Sequence, residues 1–372
     1  MIRLPSFAVA ILAFAVLGIS SVSTSCLAAQ ETAKEKKESK VNAGLLSAMK
    51  LRSIGPALMS GRIGDIAVDQ KNGNIWYVGV GSGGVWKTTN SGTTFEPIFD
   101  SYDSYSIGCV TIDPSNSSTV WVGTGENVGG RHIGYGDGIY VSHNGGKSFK
   151  NMGLKNSEHL SKIVVHPKNS NIVFAASQGP LWSGGGERGL YKTIDGGKTW
   201  KNVLNADGKD GGDFTGVTDV VMDPNNPKVL YAATHQRHRT VWALLNTGPQ
   251  SGVHKSVDGG ETWTELTTGI PGGDKGKISL AVSPQKSNVV YATIELNDRK
   301  GGFFRSEDFG ASWAKMSDYV GGGTGPHYYQ EIYCDPHRFD VVYHANVQLG
   351  RTEDGGKTFN SVGRRTKHVD NH

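Results

Sequence analysis

Cysteine, proline and excess charge are all scarce in this chain. Its 372 residues include three cysteines and thirteen prolines, and its formal net charge is +4. A charge this small gives little support to a nucleic-acid partner, which needs clustered cationic side chains. The longest apolar run, Phe7–Ile19, has 13 residues and is too short for a membrane-spanning helix of about 20. We therefore predict no nucleic-acid partner and no membrane span.

The N-terminal segment predicts export. Arg3 precedes the apolar run, and small residues follow it as far as Ala28-Ala29, an arrangement typical of a secretory signal peptide. We predict a signal peptide at 1–29, a disordered charged spacer at 30–48 and a periplasmic or extracellular location. Lipidation at Cys26 is the alternative, although the three preceding residues lack the usual bulky side chain.

Cleavage at that point would leave two cysteines, Cys109 and Cys334. Exported proteins can form disulfides. These two cysteines, however, lie in strand-like runs that are far apart in the chain. The sequence therefore favours buried free thiols over a disulfide.

Glycine is abundant, with 52 residues, about twice its ordinary share of roughly 7%. Many of these glycines belong to an eight-residue word: Ser/Thr, any residue, Asp/Asn, any residue, Gly, any residue, Ser/Thr, then Phe or Trp. The six copies are Thr88–Phe95, Ser142–Phe149, Thr193–Trp200, Ser256–Trp263, Ser306–Trp313 and Thr352–Phe359. A regular repeat at this spacing is typical of propellers, solenoids and similar arrays.

The word describes a tight turn between two strands. Its third position is occupied by Asn90, Asn144, Asp195, Asp258, Asp308 and Asp354, which lie 54, 51, 63, 50 and 46 residues apart. A side-chain oxygen here can accept backbone N–H bonds from two or three residues further on. The fixed glycine supplies a positive φ, and the aromatic residue can pack beneath the turn. We assign these residues a structural role.

Strand signals surround each copy of the word. A β-branched run such as Ile66-Ala-Val-Asp-Gln, a Pro/Asn-rich turn and an aromatic run such as Ile75-Trp-Tyr-Val-Gly precede it. A third strand leads into the word and a fourth leaves it. Four antiparallel strands in about 50 residues predict an all-β fold, a β-propeller of four-stranded blades occupying 49–372. A β-solenoid is the alternative architecture.

The number of blades stays open at this stage. Six words are visible, and the tail Arg364–His372 resembles the beginning of another linking loop, so a truncated propeller of seven or more blades is one interpretation. The other is a closed six-bladed ring, in which Leu51–Ser60 pairs with the last blade.

The face opposite the words carries longer and more individual loops, and function usually lies on such loops. Their Arg, His, Tyr and Trp side chains suit a glycan, peptide or protein ligand. The candidate ligand-binding residues are Arg62, Glu126, Asn127, Arg131, His132, Tyr135, Trp182, Arg188, His235, Arg237, His327 and Tyr328.

Two short histidine spacings raise the question of a metal site. They are His235/His238 and His368/Asp370/His372. A bound ion needs three or four ligands in the right geometry, and neither spacing is a strong motif. We predict no metal and no other cofactor.

The word matches the Asp-box, or BNR repeat, of sialidases, xyloglucan-cleaving glycoside hydrolases, sortilin-type receptors and photosystem II assembly factors. The chain most resembles large bacterial secreted proteins described as sortilin-like or BNR-repeat glycosyl hydrolases. The phrases that carry this resemblance begin at Ser60-Gly-Arg-Ile, Ser82-Gly-Gly-Val-Trp and Gly123-Thr-Gly-Glu-Asn.

The catalytic residues implied by that resemblance are incomplete. Xyloglucanase-like enzymes carry an aspartate where this chain has Gly81. Sialidase-like members place an Arg-Ile-Pro phrase where this chain reads Arg62-Ile63-Gly64. An exported binding module is therefore the first functional hypothesis. A glycoside hydrolase with a relocated carboxylate pair is the second, with candidates Glu126, Asp137, Glu187 and Glu295. The sequence leaves the ligand and the oligomeric state open.

Overall fold

The computed structural model describes residues 61–205, 212–297, 300–321 and 330–363. The predicted signal peptide and spacer, the ring-closing segment Leu51–Ser60, His327, Tyr328 and the tail from Arg364 lie outside these ranges. Within them, 26 strands form six four-stranded antiparallel sheets and one short hairpin. The predicted all-β propeller is confirmed, with six blades.

Blades 1 to 3 each use four consecutive strands paired in chain order. Their strands are β1 Ile63–Val68, β2 Trp76–Val80, β3 Gly84–Thr88 and β4 Glu96–Pro97; β5 Ile107–Ile112, β6 Val120–Thr124, β7 Ile139–Ser142 and β8 Lys150–Asn151; β9 Leu160–Val165, β10 Val173–Ser177, β11 Gly189–Thr193 and β12 Lys201–Leu204.

Blades 4 to 6 repeat this order, except that the β15–β16 hairpin is inserted into blade 4. Their strands are β13 Thr215–Met222, β14 Leu230–Gln236, β15 His238–Arg239, β16 Leu244–Leu245, β17 Gly252–Ser256 and β18 Thr264–Leu266; β19 Lys275–Val282, β20 Val290–Leu296, β21 Gly301–Ser306 and β22 Ala314–Ser317; β23 Glu331–Cys334, β24 Val342–Ala345, β25 Gly350–Thr352 and β26 Asn360–Ser361. A 3-10 turn at Gly212–Phe214 precedes β13. No helix in this described part of the chain is long and apolar enough to cross a membrane.

The first strand of each blade lies innermost. It contacts the first strand of the next blade in every consecutive pair from β1·β5 to β19·β23. Across the axis, Lys162 Nζ of blade 3 lies 3.7 Å from Glu331 Oε2 of blade 6. The blades therefore surround a narrow channel lined by polar side chains.

Two aspartates connect neighbouring blades at this channel. Asp65 Oδ2 accepts the N–H of Val110 at 3.0 Å, and Asp219 Oδ2 accepts the N–H of Leu280 at 2.8 Å. Burial raises the pKa of each carboxyl to about 6, against the lowering effect of Lys162. The sequence interpretation did not single out either residue, because each looks like an ordinary polar residue in an alternating strand.

The Asp-box turns form as predicted, except that the aspartate side chain bonds a backbone N–H further along the chain than expected. In the third copy, Thr193 Oγ1 donates to Asp195 Oδ1 at 2.7 Å and accepts the Gly197 N–H at 2.9 Å. The Asp195 carboxylate also accepts the Thr199 N–H at 3.0 Å, four residues on, which is further than the predicted two or three. The fixed glycine has a positive φ in all six copies. The box turn and the turn between the first two strands lie at one end of the blade, since Gly196 N–H bonds Asn171 O.

The boxes of blades 2 to 6 also pack against the blade before them. An ideal Cβ on Gly197 would lie 2.8 Å from Trp121 Cη2, and one on Gly260 would lie 2.5 Å from Phe174 Cε1. Tyr77 Oη donates to Gly145 O at 3.0 Å in the same arrangement between blades 1 and 2. These contacts explain why glycine is fixed in the word: both its φ and its neighbour exclude a side chain.

Blade 1 is the exception, because the face that should meet a preceding blade is exposed. Ile66, Val68 and Phe95 are exposed. The residues equivalent to Ile66 in the other blades are all buried: Val110, Ile163, Val220, Leu280 and Ile332. The apolar pattern of the innermost strand is thus the same in all six blades, but its burial differs.

The two cysteines within the described ranges are free thiols; Cys109 is buried and Cys334 is half-buried. Burial holds the pKa of the Cys109 thiol well above its ordinary value and raises that of Cys334 to about 12. Both thiols are therefore protonated and unreactive at neutral pH.

The two kinds of box should respond differently to acid. Hydrogen bonds from Thr199 lower the pKa of Asp195 from 3.8 to about 2, whereas Asn144 in blade 2 does not titrate. A carboxyl group whose pKa is lowered by folding stabilises the folded state at pH values above its ordinary pKa. This contribution is lost as the pH falls through the lower pKa of the folded state. Between pH 4 and 2 we expect the Thr199 amide to lose hydrogen-exchange protection, while the Ser148 amide, which bonds to Asn144 Oδ1 at 3.0 Å, keeps it.

The Asp195→Asn variant is the matched control for this experiment. It should give the Thr199 amide the acid resistance of Ser148. Equal loss of protection at both amides in the unmodified chain would contradict the assignment.

Candidate functional site

The predicted site residues lie mainly on one face, opposite the Asp-box turns, which we call the loop face. It carries the loops between second and third strands, such as 81–83, 125–138 and 178–188. The loops of blades 1 to 4 contact one another through the side chains described below.

Arg62, Glu126 and His132 are brought together at the junction of blades 1 and 2. Arg62 Nε lies 2.9 Å from Glu126 Oε1, and its Nη2 donates to His132 Nε2. Glu126 is 1% exposed. The Glu126 carboxylate is thus placed to hold the Arg62 guanidinium at this junction.

Glu126 also accounts for Gly81, the position where the resemblance implies a catalytic aspartate. An ideal Cβ on Gly81 would lie 2.8 Å from Glu126 Cδ. A contact that short is not observed between a real Cβ and another atom, so any side chain at position 81 would displace the Glu126 carboxyl group. The neighbouring blade supplies a carboxylate to this space instead.

Arg188 is buried in the loop of blade 3. Its Nε, Nη1 and Nη2 donate to the carbonyls of Gly185 at 2.9 Å, Gln178 at 2.5 Å and Ser183 at 2.9 Å. Gly179 allows this placement, because its φ is +69° and a Cβ there would lie 2.2 Å from Arg188 Cγ. The guanidinium satisfies carbonyls of an irregular loop that has no strand partners.

Asn127 and Gln178 join the loops of blades 2 and 3. Gln178 Nε2 donates to Asn127 O at 3.0 Å, and Asn127 Nδ2 donates to Ser161 O at 3.3 Å. Both side chains are buried. Their amide groups thus bind backbone carbonyls rather than facing solvent.

Blade 4 reaches the same junction through its hairpin β15–β16, which the sequence interpretation treated as loop. Arg237 Nη1 donates to Val128 O at 2.9 Å, and Arg239 Nε donates to Gly129 O at 2.8 Å. Arg131 is exposed, and its Nη2 lies 3.5 Å from Val241 O at the hairpin tip. The tip carries Trp242, which is 87% exposed.

An open cleft of about 700 Å³ lies between blades 2 and 3 on this face. Its lining is polar and includes Tyr135, Lys155, Glu158, Ser183 and Glu187. The Tyr135 ring is exposed, as is the Trp182 ring directly before Ser183. A second cleft of about 550 Å³ lies on the opposite face among the box turns of blades 1 and 2.

Two of the candidate carboxylates have local partners. Asp137 Oδ2 accepts the Tyr140 hydroxyl at 2.5 Å, and burial together with this bond raises the pKa of Tyr140 to about 12. Glu187 Oε2 accepts the Asn156 N–H at 2.7 Å at the wall of the cleft. Both contacts hold a loop in shape.

The fourth candidate, Glu295, lies between blades 4 and 5. Asn246 Nδ2 donates to Glu295 Oε2 at 3.2 Å, and the Asn246 carbonyl lies 3.1 Å from Nε2 of His235. Burial raises the pKa of Glu295 to about 7, against the lowering effect of Lys277. Burial, to which the charge of Arg237 adds, lowers the pKa of His235 to about 3. The ring is therefore neutral at physiological pH.

The histidine spacing in blade 4 does not bring two ligands together. His235 contacts Asn246, whereas the His238 ring lies 4.4 Å from that of Phe214. Over the described ranges, no three His, Cys, Asp or Glu side chains are placed to hold a metal ion.

A family model for Sortilin-Vps10, described as sortilin, neurotensin receptor 3, matches residues 83–215. Xyloglucanase from Hypocrea jecorina is 26% identical over 54% of this chain and 25% of its own length. Xyloglucanase Xgh74A from Acetivibrio thermocellus is 29% identical over 37% of this chain and 16% of its own length. The chain thus matches a quarter or less of these relatives, and the resemblance to sortilin-like and BNR-repeat glycosyl hydrolase proteins is confirmed.

Solved structures agree on the fold. The GH74 xyloglucanase from Xanthomonas campestris has a TM-score of 0.59 at 15% identity, covering 79% of this chain and 45% of the other. YCF48 bound to D1 peptide has a TM-score of 0.52 at 13% identity, covering 84% and 85%. At such identities the likeness concerns the propeller alone.

Proposed function

We propose that this propeller is a binding module that holds a glycan chain on its loop face, at the cleft between blades 2 and 3. The observation that carries the proposal is a set of exposed rings: Tyr135 in the cleft lining, Trp182 directly before the lining residue Ser183, and Trp242 at the hairpin tip of blade 4. Aromatic faces kept in contact with water at a polar cleft mark a ligand surface. The carboxylates and backbone groups of the lining suit sugar hydroxyls.

The state of the four candidate carboxylates favours binding over hydrolysis. Glycoside hydrolysis uses two carboxyl groups about 5–10 Å apart that flank one bond. Here Glu126 pairs with Arg62, Asp137 with Tyr140, Glu187 with a backbone N–H and Glu295 with Asn246. Each has a structural partner of its own, and the position implied by the resemblance is Gly81.

The names of the relatives suggest the first ligand to test. Those reported above are xyloglucanases, so a xyloglucan-type β-glucan is the first probe. The N-terminal sequence also predicts export, which is compatible with a ligand outside the cytoplasm. The peptide-bound propeller makes a peptide the second class of ligand to test.

Calorimetric titration with xyloglucan oligosaccharides tests the proposal. Trp182→Ala and Tyr135→Ala should each raise Kd at least tenfold, about 1.4 kcal/mol, because an aromatic anchor is lost. Their unfolding midpoints should stay nearly unchanged, since both rings are exposed. Phe309→Ala removes an exposed ring from a box turn on the opposite face and should leave Kd unaltered.

Hydrolysis is the second candidate, favoured by the raised pKa of Glu295. Sustained release of reducing sugar by the purified chain, lost in Glu126→Gln or Glu295→Gln, would replace the binding proposal. Absence of both turnover and binding across neutral and acidic glycans, with a folded sample, would reject the glycan class.

A further inference from the structure

The Arg237 guanidinium is deeply buried and only partly hydrogen-bonded. The residue is 2% exposed, and only its Nη1 has a hydrogen-bond acceptor, the Val128 carbonyl. Nε and Nη2 are buried without a partner. Buried donors nearly always have a partner, and a charged one left without it is especially costly.

Arg188 provides an internal comparison. It is buried in the adjoining loop to a similar extent, yet all three of its nitrogens donate to carbonyls. The same junction therefore satisfies one guanidinium with backbone oxygens and leaves the other with two nitrogens unused.

The charges around Arg237 do not balance. Arg188 repels it and Glu158 attracts it. His159 and His235 lie close to Arg237 too, but burial and Arg237 itself lower their pKa values, so both rings are neutral. Among the described residues, no carboxylate bonds the unused nitrogens of Arg237, whereas a buried cation normally has a bonded anion.

Solvent can approach this cluster from the loop face. Glu158, which attracts Arg237, also lines the cleft between blades 2 and 3, as does Ser183, whose carbonyl binds Arg188. The cleft and the arginine cluster therefore share residues Glu158 and Ser183.

We propose that Arg237 binds a small inorganic anion of the chloride class at the junction of the loops of blades 2, 3 and 4. The unused Nε and Nη2 donate to the anion, whose charge balances that of Arg237. The anion thereby stabilises the loops that also form the cleft. This site is distinct from the proposed glycan site, because Arg237 is buried whereas the rings proposed to bind the glycan are exposed.

The test is thermal unfolding of the full chain at constant ionic strength, with chloride exchanged for gluconate, which is too large to enter. If the site exists, Tm rises with the logarithm of chloride concentration once the site is filled, as expected for a ligand that binds only the folded state. Arg237→Met keeps the side-chain length and should abolish this dependence, whatever its own Tm. Arg239→Met, a neighbouring buried arginine with a carbonyl partner, should retain it.

Bromide provides a readout that does not depend on a variant folding. Anomalous scattering from crystals soaked in bromide should show a peak beside Arg237 Nε and Nη2. Equal Tm values in chloride and gluconate, together with no bromide peak, would mean that buried water fills the position and would overturn the proposal.

Discussion

Gly125→Ala is expected to lower the free energy of unfolding by about 4 kcal/mol or more, or to prevent folding. Losses this large are exceptional and arise from severe local conflicts. Gly125 has a φ of +85°, which a side chain resists. In addition, an ideal Cβ would lie 1.7 Å from the Glu158 carbonyl oxygen and 2.8 Å from Gly136 N. Both obstacles are backbone atoms, so no side-chain rotation relieves the clash.

Substitutions at two other glycines separate the cost of a side chain at a positive φ from the cost of a steric clash. Gly185 has a φ of +72° but nothing within 4 Å of an ideal Cβ, so Gly185→Ala should cost only about 1–2 kcal/mol. Gly73 has open space and an ordinary φ, and Gly73→Ala should change stability by less than about 0.5 kcal/mol. Chemical unfolding measures all three variants, and similar losses for Gly125→Ala and Gly185→Ala would contradict the close approach.

The Gly125 contact matters for function because it fixes the loop that carries Glu126. The Gly125 N–H donates to Ser106 O at 2.7 Å, and the Glu158 carbonyl that crowds it accepts the Gly136 N–H at 2.7 Å. The loops of blades 2 and 3 thus meet backbone to backbone beside the cleft. A rigid junction here pre-organises the surface that we propose for glycan binding.

The four-stranded blade and its strand order could be predicted because the Asp-box is a local structure. Thr193, Asp195 and Gly197 satisfy one another within five residues, so their spacing alone specifies the turn. Once the turn is placed, strand alternation determines which end of the blade it occupies. Tertiary context adds little to that part of the fold.

The loop face could not be predicted in the same way. Arg188 and Arg237 were candidate ligand-binding residues, and the structure places both in buried positions on backbone carbonyls. Irregular loops leave carbonyls without strand partners, and arginine supplies several donors at once. A sequence pattern does not distinguish an arginine used in this way from one that faces a ligand.

The pairing of Arg62 with Glu126 could not be predicted from the sequence either. Both residues were named as candidates, but for different reasons and in different blades. The contact depends on how two blades meet at their loop ends, and on the absence of a side chain at Gly81. Neither condition can be deduced from the order of residues in one repeat.

The innermost strands offer the last and most direct test of how the blades pack. Ile163 is 2% exposed between blades 2 and 3, whereas Ile66, at the equivalent position of blade 1, is 48% exposed. Ile163→Ala should therefore cost about 2–5 kcal/mol, from lost burial and the cavity left behind. Ile66→Ala should cost less than about 1 kcal/mol, because the side chain already contacts water.

Chemical unfolding of the two variants compares one substitution in two environments of a single fold. The aromatic residues of the boxes extend the comparison, since Phe95 in blade 1 is exposed and Trp313 in blade 5 is buried. Phe95→Ala should accordingly be much milder than Trp313→Ala. If Ile66→Ala lowered the free energy of unfolding as much as Ile163→Ala, the face of blade 1 that should meet a preceding blade would have to be covered in solution. If Ile66→Ala lowers stability only slightly, blade 1 packs only against blade 2. Hydrogen exchange should then show that blade 1 opens before the other five blades.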